Sequence, residues 1–192
     1  MDMDILKLVV FVHVVAAVLW FGSAAVLELL EWESSHESER ERLERALRRG
    51  GWFSTHVFAP CAVITALFGI IAVALGKPTF GDEWVIIALV FVVLVTLVGA
   101  LGIGRNMSRL AVRMDAGASE QEIAQRHARI RMFSHLDLAL LFFILFDMVM
   151  RPKGIDPAFV ILSGAFFGGI AAWLLLSLTE RIEHHAPLSS SH

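Results

Sequence analysis

The chain has 192 residues, of which 57% are hydrophobic, and a formal net charge of −3. Soluble domains usually contain about 45–50% apolar residues, so this composition indicates a membrane protein and argues against a soluble enzyme. The net charge does not indicate nucleic-acid binding. A single cysteine excludes an intrachain disulfide, and the lack of tyrosine excludes a redox tyrosine.

Five hydrophobic runs are long enough to cross a bilayer, which requires roughly 18 consecutive apolar residues or more. They lie at about 5–30, 53–76, 84–104, 133–150 and 158–178. Only helices or closed barrels satisfy every backbone hydrogen bond within lipid. We therefore predict an all-α membrane protein, with five transmembrane helices in a single bundle over 1–180 and a flexible tail over 181–192.

The first span contains one histidine well inside its apolar run. On a helix of 100° per residue, His13 shares a stripe with Ala17, Trp20 and Ala24. Small residues let a neighbouring helix approach closely, so we expect this stripe to face the bundle. An ionisable residue inside a membrane is a candidate for ligand binding or proton transfer. The alternative is a neutral imidazole that bonds a carbonyl or hydroxyl of the next helix.

The first long connection, 33–50, is charged and predicts a short helix. Ser34 and Ser35 are good N-cap residues, and Glu41–Arg45 is a stabilising i,i+4 pair. Gly50-Gly51 is typical of a helix end. We expect this connection to be a cytoplasmic loop that carries a short surface helix.

The second span carries His56 near its start, followed by Pro60. Proline at i+4 removes the amide that would bond the carbonyl of His56, so a kink is expected there. Gly99, Gly102 and Gly104 at the end of the third span lack the strand–turn–helix context of a dinucleotide site, which indicates a packing role.

The second charged connection, 105–134, contains the capping box Ser119-x-x-Glu122. We expect it to start a helix at Glu120 that continues unbroken into the fourth span. That span begins with His135, which lies near the level of His56, and a heme between two axial imidazoles needs both ligands at one depth. His13 lies deeper from the other side, so it would ligate alone, with a weak partner, or not at all.

Other side chains of the fourth span are further candidates. Asp137 could hold an imidazole in one tautomer, and Asp147 is spaced to pair with Arg151 at the outer interface. Met148 and Met150 are soft ligands of the kind that copper(I) prefers, although methionine there also suits packing.

Basic residues predict the orientation of the chain. The two long loops and the tail carry twelve of the sixteen, and the opposite side has only four, which are Lys7, Lys77, Arg151 and Lys153. By the positive-inside rule, the N-terminus lies outside and the C-terminus in the cytoplasm. In the fifth span, Gly164-x-x-x-Gly168 suits a close helix contact or a homodimer face.

The segment from His13 to Trp20-Phe21-Gly22 resembles the first span of the CopD-like superfamily of small bacterial membrane proteins. That superfamily includes the copper-resistance CopD domain and the HemJ protoporphyrinogen oxidases, and the layout looks closest to its uncharacterised integral membrane members. The segment 131–152 is similar to their run that ends in Met-x-x-Pro. The resemblance implies a helical bundle in the bacterial plasma membrane and, by analogy with HemJ, a b-type heme with His13 as the matching histidine. The charged-aromatic stretch that follows the first span of HemJ is missing here.

Three functions remain open, and the sequence does not decide whether the protein is an enzyme. The first is binding of b-type heme or a redox metal through His13, His56 or His135. The second is a non-catalytic accessory or assembly subunit of a membrane complex. The third is a copper or proton pathway through His13, Asp147, Met148 and Met150.

Overall fold

The computed structural model describes residues 3–33, 39–154 and 156–183, which form helices joined by short turns. The α-helices are α1 (Met3–Glu33), α2 (Glu39–Phe53), α3 (Ala59–Leu75), α4 (Glu83–Leu97), α5 (Arg105–Asp115), α6 (Glu120–Met150) and α7 (Pro157–Glu183). Two π-helical segments, Ser54–Phe58 and Val98–Gly104, join α2 to α3 and α4 to α5.

The all-α membrane fold is confirmed. Four continuous helical stretches are long and apolar enough to cross a membrane, and they are Asp4–Leu30, Arg49–Leu75, Glu83–Asp115 and Glu120–Met150. The fifth predicted span corresponds to α7, an apolar helix of 27 residues. By its backbone contacts the chain divides into two compact units, 1–151 and 152–192, with α7 in the second. A single bundle over 1–180 stays a prediction.

In the first unit, α1 packs along α3, and α4 packs along α6. These helices enclose the main apolar core, which contains Trp20, Cys61, Val95, Leu140, Leu141 and Ile144. Val9, Ala16 and Trp20 are the buried positions of α1, and Ala24 packs against the core. The first span therefore presents the predicted stripe to the bundle. The buried face also includes Ala16, which lies beside that stripe.

A second core lies where the charged connections meet. It contains Leu110 and Met114 of α5 with Ile123 and Ile130 of α6, and Leu47 of α2 packs against it. The helix α5 is amphipathic, so its apolar side is buried on α6 while its polar side is left outside. This second core fixes the direction in which the polar side of α5 faces.

The predicted glycine stop at Gly50-Gly51 is wrong, because α2 continues through both residues to Phe53. A Cβ atom placed on Gly50 would lie 3.4 Å from Met107 Cε, so this glycine sits against a side chain of α5. Glycine here provides a helix contact rather than a left-handed helix end. The N-cap predicted at Ser34 and Ser35 lies outside the described residues.

A π-helical segment occupies the place where Pro60 is expected to disturb the second span. The amide of Ala59 donates to the carbonyl of Ser54, which is an i,i+5 hydrogen bond, and Pro60 lies in the first turn of α3. Because the helix is continuous here, the missing amide of Pro60 removes one backbone hydrogen bond to the preceding turn. The backbone hydrogen bonds of the helix thus change from i,i+4 to i,i+5 just before the proline.

The N-cap at Ser119 is confirmed, whereas the carboxylate of Glu122 pairs with Arg126. The hydroxyl of Ser119 accepts from the amide of Glu122 at 3.3 Å, and α6 runs unbroken for 31 residues, as predicted. The packing role of the glycines is also confirmed at Gly102, where a Cβ atom would lie 2.7 Å from Cδ1 of Phe133.

Candidate intramembrane histidine site

His13 lies at the interface between α1 and α3, where it is half-buried. Its Nδ1 atom is 2.8 Å from the carbonyl oxygen of Thr65. A carbonyl only accepts, so Nδ1 carries the hydrogen and donates it. In the neutral ring, Nε2 then keeps an available lone pair, which is the tautomer found in histidines that bind metals through Nε2.

Gly69 makes room for this imidazole. A Cβ atom placed on Gly69 would lie 3.0 Å from Cε1 of His13 and 3.1 Å from Nδ1. Contacts this short require the ring or the helix to move, so any larger residue at this position displaces the ring. Thr65 is 6% exposed, and its hydroxyl oxygen is buried without a hydrogen-bond partner within the described residues. No local pattern in the sequence marks Thr65 or Gly69, because His13 meets them across about fifty residues of chain.

His56 is exposed on the second helical stretch. Its Nδ1 atom donates to the carbonyl of Trp52 at 3.0 Å, and the two rings stack with their centroids 5.0 Å apart. Both contacts lie within one turn of the same helical stretch. They therefore hold the His56 ring against its own helix.

His135 pairs with Glu28 of α1, with 3.1 Å between Nε2 and Oε2. The pair joins α1 to α6 directly. It occupies Nε2 of His135, so the three candidate histidines have polar partners on three different elements.

The carboxylates of α6 depart from their expected partners. Asp147 is 0% exposed and both its oxygens lack a hydrogen-bond partner, so the predicted ion pair with Arg151 is absent among the described residues. Arg151 is the C-cap of α6 and has a left-handed backbone conformation with φ 45°, so its side chain does not follow the helical spacing from Asp147. Its guanidinium instead lies 5.4 Å from the centre of the Trp84 ring. Asp137 has one buried oxygen without a partner, and that atom faces Gly99 rather than an imidazole.

The two methionines face different environments. Met148 packs against the main core, whereas Met150 is 38% exposed. Within the described ranges, no group of three His, Cys, Asp or Glu side chains is arranged to hold a metal ion. His127, which the sequence did not single out, is 3% exposed beside the second core.

A comparison with protein families matches residues 7–152 to the family described as predicted integral membrane protein (DUF2269). The chain belongs to this DUF2269 family. The matched region spans α1 to α6 and includes His13, His56 and His135. No curated protein and no solved structure matches the chain. The DUF2269 description establishes an integral membrane protein.

Proposed function

We propose that the protein binds a b-type heme or a redox metal through His13. The observation that carries this proposal is the hydrogen bond from Nδ1 of His13 to the carbonyl of Thr65, at 2.8 Å. It orients the ring and leaves Nε2 as the nitrogen available for a ligand bond. A bound heme would supply one-electron redox chemistry at its iron.

The surroundings of His13 suit a ligand. Gly69 leaves the space that the ring occupies, and the ring lies between two apolar helices that limit access of water. The resemblance of the first span to the CopD-like superfamily belongs to the proposal, because it matches the same histidine. So do a location in the bacterial plasma membrane and an orientation with the N-terminus outside.

Among the three histidines, this geometry favours His13. His56 also keeps Nε2 available, but its ring is exposed and stacked on Trp52. His135 would have to release Glu28 before its Nε2 could bind iron. A heme between His56 and His135 therefore requires the Glu28–His135 pair to open, whereas a ligand on Nε2 of His13 leaves the hydrogen bond to Thr65 in place.

The first prediction concerns the absorption spectrum of protein purified in detergent from heme-supplemented cells. We expect a Soret band in the wild type, its loss in His13→Ala, and its retention in His56→Ala. Gly69→Ala should shift or weaken the band, because the added Cβ meets the ring at 3.0 Å. Gly22→Ala on α1 is the matched control, since a Cβ there meets nothing within 4 Å.

Thr65→Val is a second control. It removes the hydroxyl but keeps the backbone carbonyl that accepts from His13. The Soret band should therefore survive this substitution. A wild-type protein without Soret absorbance would reject heme binding and favour the accessory-subunit function. A band lost in His56→Ala but kept in His13→Ala would move the ligand to His56.

A proton pathway is the second candidate, and the burial of Asp147 favours it. Its carboxylate is 0% exposed and has no hydrogen-bond partner within the described residues. Carboxylates inside membrane spans often mark proton relays. A copper pathway would instead use Met148 and Met150, and the copper content of the purified protein, measured by mass spectrometry, tests it.

A further inference from the structure

The helix α5 carries three arginines on its polar side, at i, i+4 and i+8. At 100° per residue, Arg105, Arg109 and Arg113 fall within about 80° of one another. All three are exposed, whereas Leu110 and Met114 on the opposite side are buried at 0% and 8% exposure. Because those two residues are fixed in the second core, the arginine side of α5 faces away from this core. We call Arg105, Arg109 and Arg113 the arginine face.

Within the part of the chain that the structure describes, the arginine face has no carboxylate partner. The neighbouring ion pair joins Arg126 to Glu122 on α6, at 3.0 Å, and it uses neither α5 nor the arginine face. Three guanidinium groups without counter-charges repel one another, so an anionic ligand that binds all three relieves this repulsion. Arginine suits phosphate especially well because its planar fork donates two parallel hydrogen bonds.

The position of the arginine face indicates where the phosphate comes from. Arg105 follows directly after the apolar stretch that ends with the second π-helical segment, in the helical stretch Glu83–Asp115. Val112 lies among the arginines and is 68% exposed. An exposed valine between arginines suits a lipid–water interface better than a fully aqueous surface.

The helices α5 and α6 and the turn between them form a helical hairpin, and its charges are separated along its length. The exposed acidic residues Asp115 and Glu120 lie at the far end, next to the turn between α5 and α6. Arg105 and Arg109 lie toward the membrane-spanning stretch, and Arg113 lies two residues before Asp115. This order places positive charge near the bilayer and negative charge away from it, which complements a layer of anionic headgroups.

We infer that the arginine face binds the phosphate headgroups of anionic phospholipids in the adjacent leaflet. The inference does not depend on the proposed heme. It also does not depend on which side of the membrane the hairpin occupies, because anionic lipid need only be present in that leaflet. Each basic residue near an anionic surface contributes about a factor of five to binding.

The test uses full-length protein in detergent, with phosphatidylglycerol or phosphatidylcholine added, and native mass spectrometry to count retained lipids. Wild-type protein should retain phosphatidylglycerol preferentially. The triple variant Arg105→Gln, Arg109→Gln, Arg113→Gln should lose that preference by roughly 100-fold in apparent affinity. Added salt should weaken retention by the wild type, since these charges are exposed.

A matched triple variant, Lys77→Gln, Arg151→Gln, Lys153→Gln, removes three basic residues from the other connections and should keep the preference. Circular dichroism shows whether each variant remains helical, and the salt titration of the wild type gives a readout that needs no variant. Equal retention of the two lipids by the wild type would overturn the inference. An unchanged preference in the arginine-face variant would also overturn it and leave a protein partner as the occupant.

Discussion

Asp147 has a side chain with no solvent exposure and no hydrogen-bond partner within the described residues. Its expected partner, Arg151, instead stacks over Trp84 because the helix ends at that residue in a left-handed conformation. An isolated buried carboxylate costs free energy unless it holds a proton, pairs with an opposite charge or binds a cation. The proton pathway proposed above gives this residue a role that can be tested.

The second prediction therefore concerns Asp147→Asn. Asparagine keeps the shape of the side chain and removes its ability to give up a proton. In proteoliposomes that carry an internal pH dye, this variant should lose most of the proton flux that the wild type shows. Asp115→Asn, at an exposed position of α5, should leave the flux unchanged. Equal fluxes in wild type and Asp147→Asn would exclude the proton pathway.

The single residues show what a sequence pattern can and cannot reveal. The apolar run around His13 was enough to predict that its ring faces another helix, and the hydrogen bond to Thr65 confirms this. The same bond is the contact that the alternative interpretation predicted, in which the imidazole bonds a carbonyl of the next helix. The identity of the acceptor was not predictable, because it depends on how two helices far apart in sequence align. The pairing of Glu28 with His135 was missed for the same reason.

At the scale of the elements, apolar run lengths and the Ser119 cap predicted most helices correctly. The glycines were harder to interpret. A glycine pair ends a helix only when the chain adopts a left-handed turn, and Gly50 instead lies within α2 beside Met107. Neither π-helical segment was predicted, because an i,i+5 register leaves no distinctive periodicity over five to seven residues.

The third prediction tests the contact between the second π-helical segment and α6. Gly102→Ala should lower the free energy of unfolding by about 1–3 kcal/mol, because its Cβ would lie 2.7 Å from the ring of Phe133. Gly99→Ala is the control from the same segment, since its Cβ would lie at an ordinary 3.9 Å from the nearest atom, on Asp137. Denaturation in detergent compares the two. Equal losses would show that the ring adapts without strain.

At the scale of the whole molecule, the helical stretch Glu83–Asp115 limits the possible topologies. Its 33 residues extend about 50 Å at 1.5 Å per residue, which exceeds the roughly 30 Å hydrocarbon core. We therefore expect the turns at its two ends, 76–82 and 116–119, to lie on opposite sides of the membrane. The arginine bias predicts that 116–119 lies in the cytoplasm.

The fourth prediction follows for cysteine labelling in intact cells, after Cys61→Ala removes the native thiol. Phe80→Cys and Ala116→Cys occupy exposed positions in the two turns. An impermeant maleimide added outside should label position 80 and leave position 116 unlabelled until the cells are opened. Labelling of both from outside would contradict the span count, and the reverse order would invert the orientation.

The second π-helical segment also determines how α5 is rotated about its axis relative to α4. It connects Val95, which is buried in the main core, to Leu110, which is buried in the second. Each residue in an α-helix turns the chain by about 100°, so gaining or losing one residue in Val98–Gly104 would rotate α5 by that angle. Leu110 would then leave its core and the arginines would swing around the helix axis. The exact length of this segment therefore determines which side of α5 packs in the second core and which side carries the exposed arginines.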